Sequence, residues 1–199
     1  MAGFAGIAGA GKSIERLLNT AFAEEQPIPG QLRTRAVLVR TTDFEPGNVS
    51  TNIGSPALSI FLYRVDFNKT MRAAWSAIGS QDGLGHLALD LHLLITAWAD
   101  NAEFEYRILG RAMQAIETMP ILNGPLLAPN TEWAPNESVQ LVLEDISTEA
   151  VMRTFDSLPT DYRLSVPYIA RIIRIDSRVA SPDGFVTTLI TGIVPEPTL

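Results

Sequence analysis

Two stretches of the chain repeat apolar residues with a helical period. In the first, the apolar residues at spacings of three and four are Ile14, Leu17, Leu18, Ala21 and Phe22. This spacing predicts one buried helical face, and Ser13 can cap the helix. In the second, residues 100–119, Asp100 is a good N-cap with Glu103 three residues later. Its apolar stripe consists of Phe104, Ile108, Leu109, Ala112, Ile116 and Met119.

Other stretches alternate or are rich in β-branched and aromatic residues. Runs at 33–44 and 57–67 predict two strands, joined by a turn-rich loop over 45–56. The run HLALDLHLLITAW, residues 86–98, alternates in its first half and predicts a third strand. One face of that strand carries Leu87, Leu89, Leu91 and Leu93. The other face carries His86, Ala88, Asp90 and His92.

The second half of the chain predicts three more strands and a short helix. SVQLVLEDI, residues 138–146, predicts a strand, after which Ser147 caps a helix whose Ile146 and Val151 form a hydrophobic staple. The residues expected to face inward from this helix are Val151, Met152, Phe155 and Leu158. Residues 164–178 and 184–194 predict two strands joined by the hairpin signal ASPDG. Residues 120–137 hold four prolines among apolar side chains and predict a loop lying against the body.

This order of elements predicts an α+β fold. We expect residues 1–199 to form a single domain, with a mixed or mostly antiparallel sheet of about six strands, an N-terminal helix and two further helices. The Gly/Ala-rich residues 1–12 are expected to be flexible, because ordering Phe4 and Ile7 among small residues buries little surface in an isolated subunit. A neighbouring subunit would supply the missing apolar surface.

Charge and composition exclude several classes of function. With 22 acidic and 15 basic residues, the chain has a net charge of −7, which repels phosphate backbones, so we expect no nucleic-acid partner. The absence of cysteine excludes disulfides and thiolate metal sites, and it fits a cytoplasmic protein. The longest apolar segment, 87–99, has 13 residues, fewer than the ~20 that cross a bilayer, so we expect no membrane span. Lys12 follows the apolar N-terminal stretch, the reverse of a secretory signal.

The stretch GIAGAGKS, Gly6 to Ser13, fits the phosphate-binding pattern G-x-x-x-x-G-K-[ST]. Such a loop must follow a buried strand, and only Met1 to Ala5 precede it here. We therefore interpret the stretch as a glycine-rich approach to the first helix. Nucleotide binding through this stretch is the enzymatic alternative.

No catalytic, cofactor-binding or metal-ligating residue is predicted. His86 and His92 lie six strand positions, about 20 Å, apart, whereas zinc needs all its ligands within ~2.0–2.3 Å, so the two cannot share a metal. Asp90 and His92 could hydrogen-bond, but a polar sheet face explains them better. The sequence contains no G-x-S-x-G elbow and no H-E-x-x-H motif.

Two arginines in the predicted strand 164–178 stand among apolar residues. Simple alternation places Arg171 with Ile169, Ile173 and Ile175 on one face. It places Arg174 with Tyr168 and Ile172 on the other face. Each arginine is either a snorkelling edge residue or an interface anchor.

Three runs of the sequence resemble a known family. In order and spacing, ALSIFLYRVDFNKTMR, LALDLHLLITAWADNAEFEYRILGRAMQAIETMPILNG and LSVPYIARIIRIDSR resemble the tail-terminator or cap proteins of phage-tail-like contractile injection systems, of the antifeeding-prophage type. The N-terminal helix of that family looks like KSIERLLNTAF here. The resemblance extends from about residue 10 to 195.

The resemblance implies a structural protein and not an enzyme. It implies a ring, expected to be a homohexamer, that ends the inner tube and contractile sheath of the particle. The expected partners are copies of itself, the tube protein and the sheath protein, with assembly in the cytoplasm. No site residue or cofactor carries over from the family. A freestanding small protein-binding module is the remaining alternative.

Overall fold

The computed structural model describes residues 3–30, 33–71, 84–129, 131 and 133–177. The helices are α1 (Gly6–Glu24), α2 (Ala102–Thr118) and α3 (Thr148–Asp156). The strands are β1 (Arg35–Val39), β2 (Ala57–Phe67), β3 (His86–Trp98), β4 (Ile121–Asn123), β5 (Ser138–Leu143) and β6 (Ser165–Asp176). Short helical turns lie at Thr41–Phe44, Pro46–Asn48, Val49–Ile53 and Gly124–Leu126.

The described strands form one mixed sheet in the order β1-β2-β3-β6-β5-β4. Strand β1 pairs parallel with β2, and the other pairs are antiparallel. The predicted α+β class and mixed sheet of about six strands are thus confirmed. The sequence analysis missed β4, which lies inside the predicted loop 120–137, and it predicted a strand over 184–194 that lies outside the described residues.

The sheet separates two apolar cores. On one face, α1 and α2 cover a core that includes Leu58 and Ile60 of β2. On the other face, the turns after β1 and helix α3 cover a second core that includes Ala57 and Phe61. Neighbours along β2 enter different cores because successive strand side chains point to opposite faces. Of the residues predicted to face inward from α3, Val151 and Phe155 are buried. Met152 is 47% exposed, because Val151 and Phe155 are four residues apart on one helix face and Met152 lies on another.

A register shift corrects the predicted faces of β6. Leu91 pairs with Ala170 and Leu89 with Ile173, so β6 contains one residue more than β3 between these pairs. Ala170 and Ile173 are therefore both buried in the first core, although simple alternation places them on opposite faces. The predicted grouping of Arg171 with Ile173 is wrong for this reason, as is that of Arg174 with the buried Tyr168.

Helix α1 begins earlier than the pattern predicts. Its N-cap is Ala5, and Ser13 lies buried inside the helix instead of capping it. The Ser13 hydroxyl donates to Gly9 O at 2.7 Å and accepts from Ala128 N–H at 2.8 Å. Part of the stretch expected to be flexible lies in this helix, where Gly9 and Ala10 are buried, whereas Phe4 before it is 80% exposed.

Of the caps predicted for the other two helices, one is wrong and one is confirmed. Asn101, not Asp100, caps α2, since its side chain accepts from Phe104 N–H at 3.0 Å. Asp100 instead accepts from the Ser55 hydroxyl. The predicted Ser147 cap of α3 is confirmed by its bond to Ala150 N–H at 3.2 Å.

Gly9 is required where α1 crosses the segment after β4. A Cβ at this position would lie 2.3 Å from Thr131 Oγ1, well inside van der Waals contact. We expect Gly9→Ala to lower the free energy of unfolding by about 1–3 kcal/mol, measured by chemical denaturation. Gly110→Ala is the control, because a Cβ there meets open space in a helix interior, and it should stabilise by about 0.5–1 kcal/mol. Equal changes in unfolding free energy for the two variants would contradict the close packing of Gly9 against Thr131.

Candidate interaction surfaces

The outer edge of β1 is closed by side chains of α1 and by Gln26, two residues after the end of that helix. Asn19 accepts from Ala36 N–H and donates to Ala36 O, both at 2.9 Å. Glu15 Oε1 accepts from Leu38 N–H at 3.3 Å, and Gln26 Oε1 accepts from Thr34 N–H at 3.0 Å. Three alternate N–H groups that would otherwise face a further strand are therefore occupied. This is one way in which a protein prevents a sheet edge from pairing with another chain.

Removing the Asn19 amide should open this edge. Asn19→Ala leaves both polar groups of Ala36 unpaired, and Ala36 is 2% exposed, so we expect a loss of about 2 kcal/mol in unfolding free energy. We also expect concentration-dependent self-association in sedimentation velocity. Asn48→Ala is the control, because its amide donates to Thr42 O and Glu45 at an exposed site. If Asn19→Ala matched the control in both measurements, the edge would not depend on this side chain.

A network of polar side chains lies on the second-core face of the sheet. Glu144, just after β5, accepts from the Tyr63 hydroxyl at 2.6 Å and lies 2.7 Å from His92 Nδ1. Arg64 bridges Glu144 and Asp66, with nitrogen–oxygen distances of 3.3 and 3.1 Å. A register shift between Leu62 and Arg64 brings Tyr63 and Arg64 to the same side. The network ties β2 and β3 to the segment leading into α3.

The Tyr63 hydroxyl has a raised pKa. Burial is the main cause, and the hydrogen bond to Glu144 adds to it. Because the folded protein holds the phenol neutral, its contribution to stability is present below the ordinary pKa of 10.0 and is lost as pH rises above that value. Above pH 10 we expect wild-type stability to fall more steeply with pH than that of Tyr63→Phe. Parallel pH profiles in chemical denaturation would show that Tyr63 plays no such role.

The two histidines do not meet in the structure. His86 contacts Asp176, which also binds Arg174, whereas His92 contacts Glu144. The possible Asp90–His92 bond is replaced by bonds from the Asn68 amide to Asp90 at 3.2 Å. Within the described ranges, no group of three or more histidine, cysteine, aspartate or glutamate side chains is placed to hold a metal ion.

The GIAGAGKS stretch forms the first turns of α1. The Gly9 N–H donates to Ala5 O at 2.8 Å, as in a regular helix, and Lys12 Nζ pairs with Glu15 at 2.6 Å. A phosphate-binding loop needs its backbone N–H groups pointing at the ligand. Residues Gly6–Ser13 are helical and form no such loop, so the structure does not support the alternative of nucleotide binding.

Two shallow grooves lie on opposite sides of the sheet, one mainly apolar and the other of mixed polarity. The α1 groove, of about 430 Å³, has a floor of Ala5, Ala8, Ala128 and Pro129 and a rim that includes Lys12 and Arg16. The α3 groove, of about 370 Å³, is lined by Met152, Phe155, Leu158, Tyr162, Asp156 and Asp161. Among the described helices, none has the length and apolar character that spanning a membrane requires.

Comparison with known proteins identifies the family. The family model described as the Pvc16 N-terminal domain matches residues 10–188. The chain belongs to the Pvc16 N-terminal domain family. A comparison with curated proteins finds no significant match. The resemblance inferred from the sequence, to tail terminators of contractile injection systems, is confirmed by this match and by the structural comparison.

The fold of this Pvc16 N-terminal domain is similar to that of a solved terminator. A cryo-electron microscopy structure of the PVC sheath/tube terminator, from an extracellular contractile injection system in its extended state, superposes with a TM-score of 0.54 at 17% identity. The match covers 96% of this chain and 64% of that chain. This Pvc16 N-terminal domain protein therefore spans somewhat less than two thirds of the terminator it resembles.

Proposed function

We propose that this protein is a structural component of a contractile injection particle, where it forms a ring that ends the inner tube and sheath. The match of residues 10–188 to the Pvc16 N-terminal domain family carries the proposal. The similarity of its fold to a sheath/tube terminator supports it. The ring is expected to contain six subunits, assembled in the cytoplasm, with the tube and sheath proteins as partners.

The closed edge of β1 is consistent with this role. A protein that ends a polymer should not offer an open strand edge on which another subunit can add. Asn19 and Glu15 occupy the N–H groups of Ala36 and Leu38 on β1, and Gln26 occupies that of Thr34, just before the strand. The mainly apolar groove beside α1 and the mixed groove beside α3 would provide surfaces for subunit contacts instead. No step of catalysis is required by this function.

The nucleotide-binding alternative is tested separately. Mg-ATP at 100 times its Kd would stabilise a binding protein by about 2.7 kcal/mol, which a thermal melt detects. We expect no shift, because residues Gly6–Ser13 are helical. A shift that Lys12→Ala abolishes would favour the nucleotide-binding function.

The ring proposal is tested on the purified protein and on isolated particles. Light scattering should give a mass of six subunits, and mass spectrometry of particles should detect the chain with tube and sheath proteins. A monomer in solution that is also absent from particles would contradict the proposal and would favour a freestanding binding module.

A further inference from the structure

The α3 groove has an acidic rim whose charges are not paired. Asp156 and Asp161 are both exposed, and within the described residues no cation pairs with either of them. Beside them, Met152 and Tyr162 are 47% and 45% exposed. The Tyr162 ring is held against Phe155 in an edge contact with centroids 5.3 Å apart. The groove thus combines apolar contact area with two free carboxylates.

The α1 groove has the opposite charge. Lys12 pairs with Glu15 of the same helix, but no carboxylate of the described chain pairs with the exposed Arg16. The small side chains Ala5 and Ala8 leave the floor open beside this guanidinium. The α1 groove therefore places a free cation beside an apolar floor, and the α3 groove places two free carboxylates beside exposed Met152 and Tyr162. The two grooves are complementary in charge.

The positions of the two grooves determine how copies could meet. Helix α1 packs on the first core and α3 on the second, so the grooves lie on opposite faces of the sheet. A two-fold contact would place Arg16 against Arg16, or Asp156 and Asp161 against the same pair, and like charges would oppose it. Only a head-to-tail contact brings the opposite charges together, and such a contact closes into a ring when its rotation allows.

We propose that the α3 groove of one copy docks on the α1 groove of the next copy, with Arg16 facing Asp156 and Asp161. This inference rests on the proposed ring and assigns its subunit interface. Met152 and Tyr162 enter the open floor beside Ala5 and Ala8, and the charges set the order of the two faces. Each subunit uses both grooves: its α3 groove contacts the next copy, and its α1 groove contacts the preceding copy.

Charge exchange tests this interface on the full chain. Arg16→Glu, and separately the double variant Asp156→Lys with Asp161→Lys, should each weaken ring association at least tenfold in mass photometry. Combining all three substitutions restores the opposite charges and should recover most of the association. Arg107→Glu, an equal charge change at an exposed site on α2, is the control and should assemble like wild type. Assembly of Arg16→Glu at wild-type affinity, or failure of the combined variant to recover, would overturn the interface.

Cysteine cross-linking separates this inference from the proposed function. Because the chain contains no cysteine, Arg16→Cys with Asp156→Cys introduces the only thiols. In isolated particles, a short bis-maleimide should then produce a ladder of covalent multimers, which neither single variant should form. If the chain is in particles but the double variant stays monomeric, or if Arg16→Cys alone forms dimers, the interface is wrong and the terminator function stands. If the chain is absent from particles, both fail.

Discussion

Trp98→Ala is expected to lower the free energy of unfolding by about 3–5 kcal/mol, because it removes the centre of the second core. Trp98 is 4% exposed, its ring stacks on Phe44 with centroids 6.0 Å apart, and its N–H donates to Ser59 Oγ at 2.8 Å. The Arg163 guanidinium also lies over this ring, 4.4 Å from its centroid. Truncation therefore leaves a cavity between β3 and the turns that follow β1.

Urea denaturation followed by circular dichroism measures this loss. Trp98→Phe should fall between wild type and Trp98→Ala, because it retains ring contacts but leaves the Ser59 hydroxyl without its donor. Tyr106→Ala is the control: its side chain is 60% exposed on α2, so its loss should cost under about 0.5 kcal/mol. A Trp98→Ala protein as stable as this control would show that the second core does not depend on Trp98.

Glu144→Leu should destabilise the protein by a similar amount, about 3–5 kcal/mol, for an electrostatic reason. The Glu144 side chain is only 6% exposed and contacts the Tyr63 hydroxyl and His92. Without the carboxylate, the buried His92 and the half-buried Tyr63 have no acceptor at this position. The penalty is largely that of unpaired buried polar groups, not of lost attraction.

Glu149→Leu provides a matched control five residues further along. Glu149 also pairs with an arginine, Arg153, at 2.7 Å, but both side chains are more than 70% exposed. Exposed pairs of this kind contribute less than about 1 kcal/mol. Equal losses of unfolding free energy in the two variants would show that the Glu144 network is no more important than a surface ion pair.

The sequence predicted elements whose pattern is long and regular. The stripe of Ile14, Leu18 and Phe22 marked one face of α1, and these three residues lie in the first core. Period-two alternation likewise located β3, although Leu87 at its start is 46% exposed. Such elements are predictable because burial on one face repeats at every turn or every second residue.

Features that depend on distant or irregular contacts were not predictable. The extra residue in β6 near Arg171 reverses the alternation, and a period alone does not reveal it. Ser13 follows the local rule for a cap, yet its hydroxyl bonds to Ala128, 115 residues away. Glu15 and Asn19 are polar and four residues apart on one helix face, which the sequence shows. That they bond to the backbone of β1 is visible only in the folded structure.

The length of assembled particles tests the central claim most directly. Particles should be purified from a producing strain with and without this chain, and the tube and sheath lengths measured by negative-stain electron microscopy. We predict a narrow length distribution with a ring at one end when the chain is present. Without it, we predict a broad distribution of uncapped tubes, and re-expression should restore the narrow one. Identical length distributions and identical tube ends in both samples would contradict the proposal that this protein ends the tube and sheath.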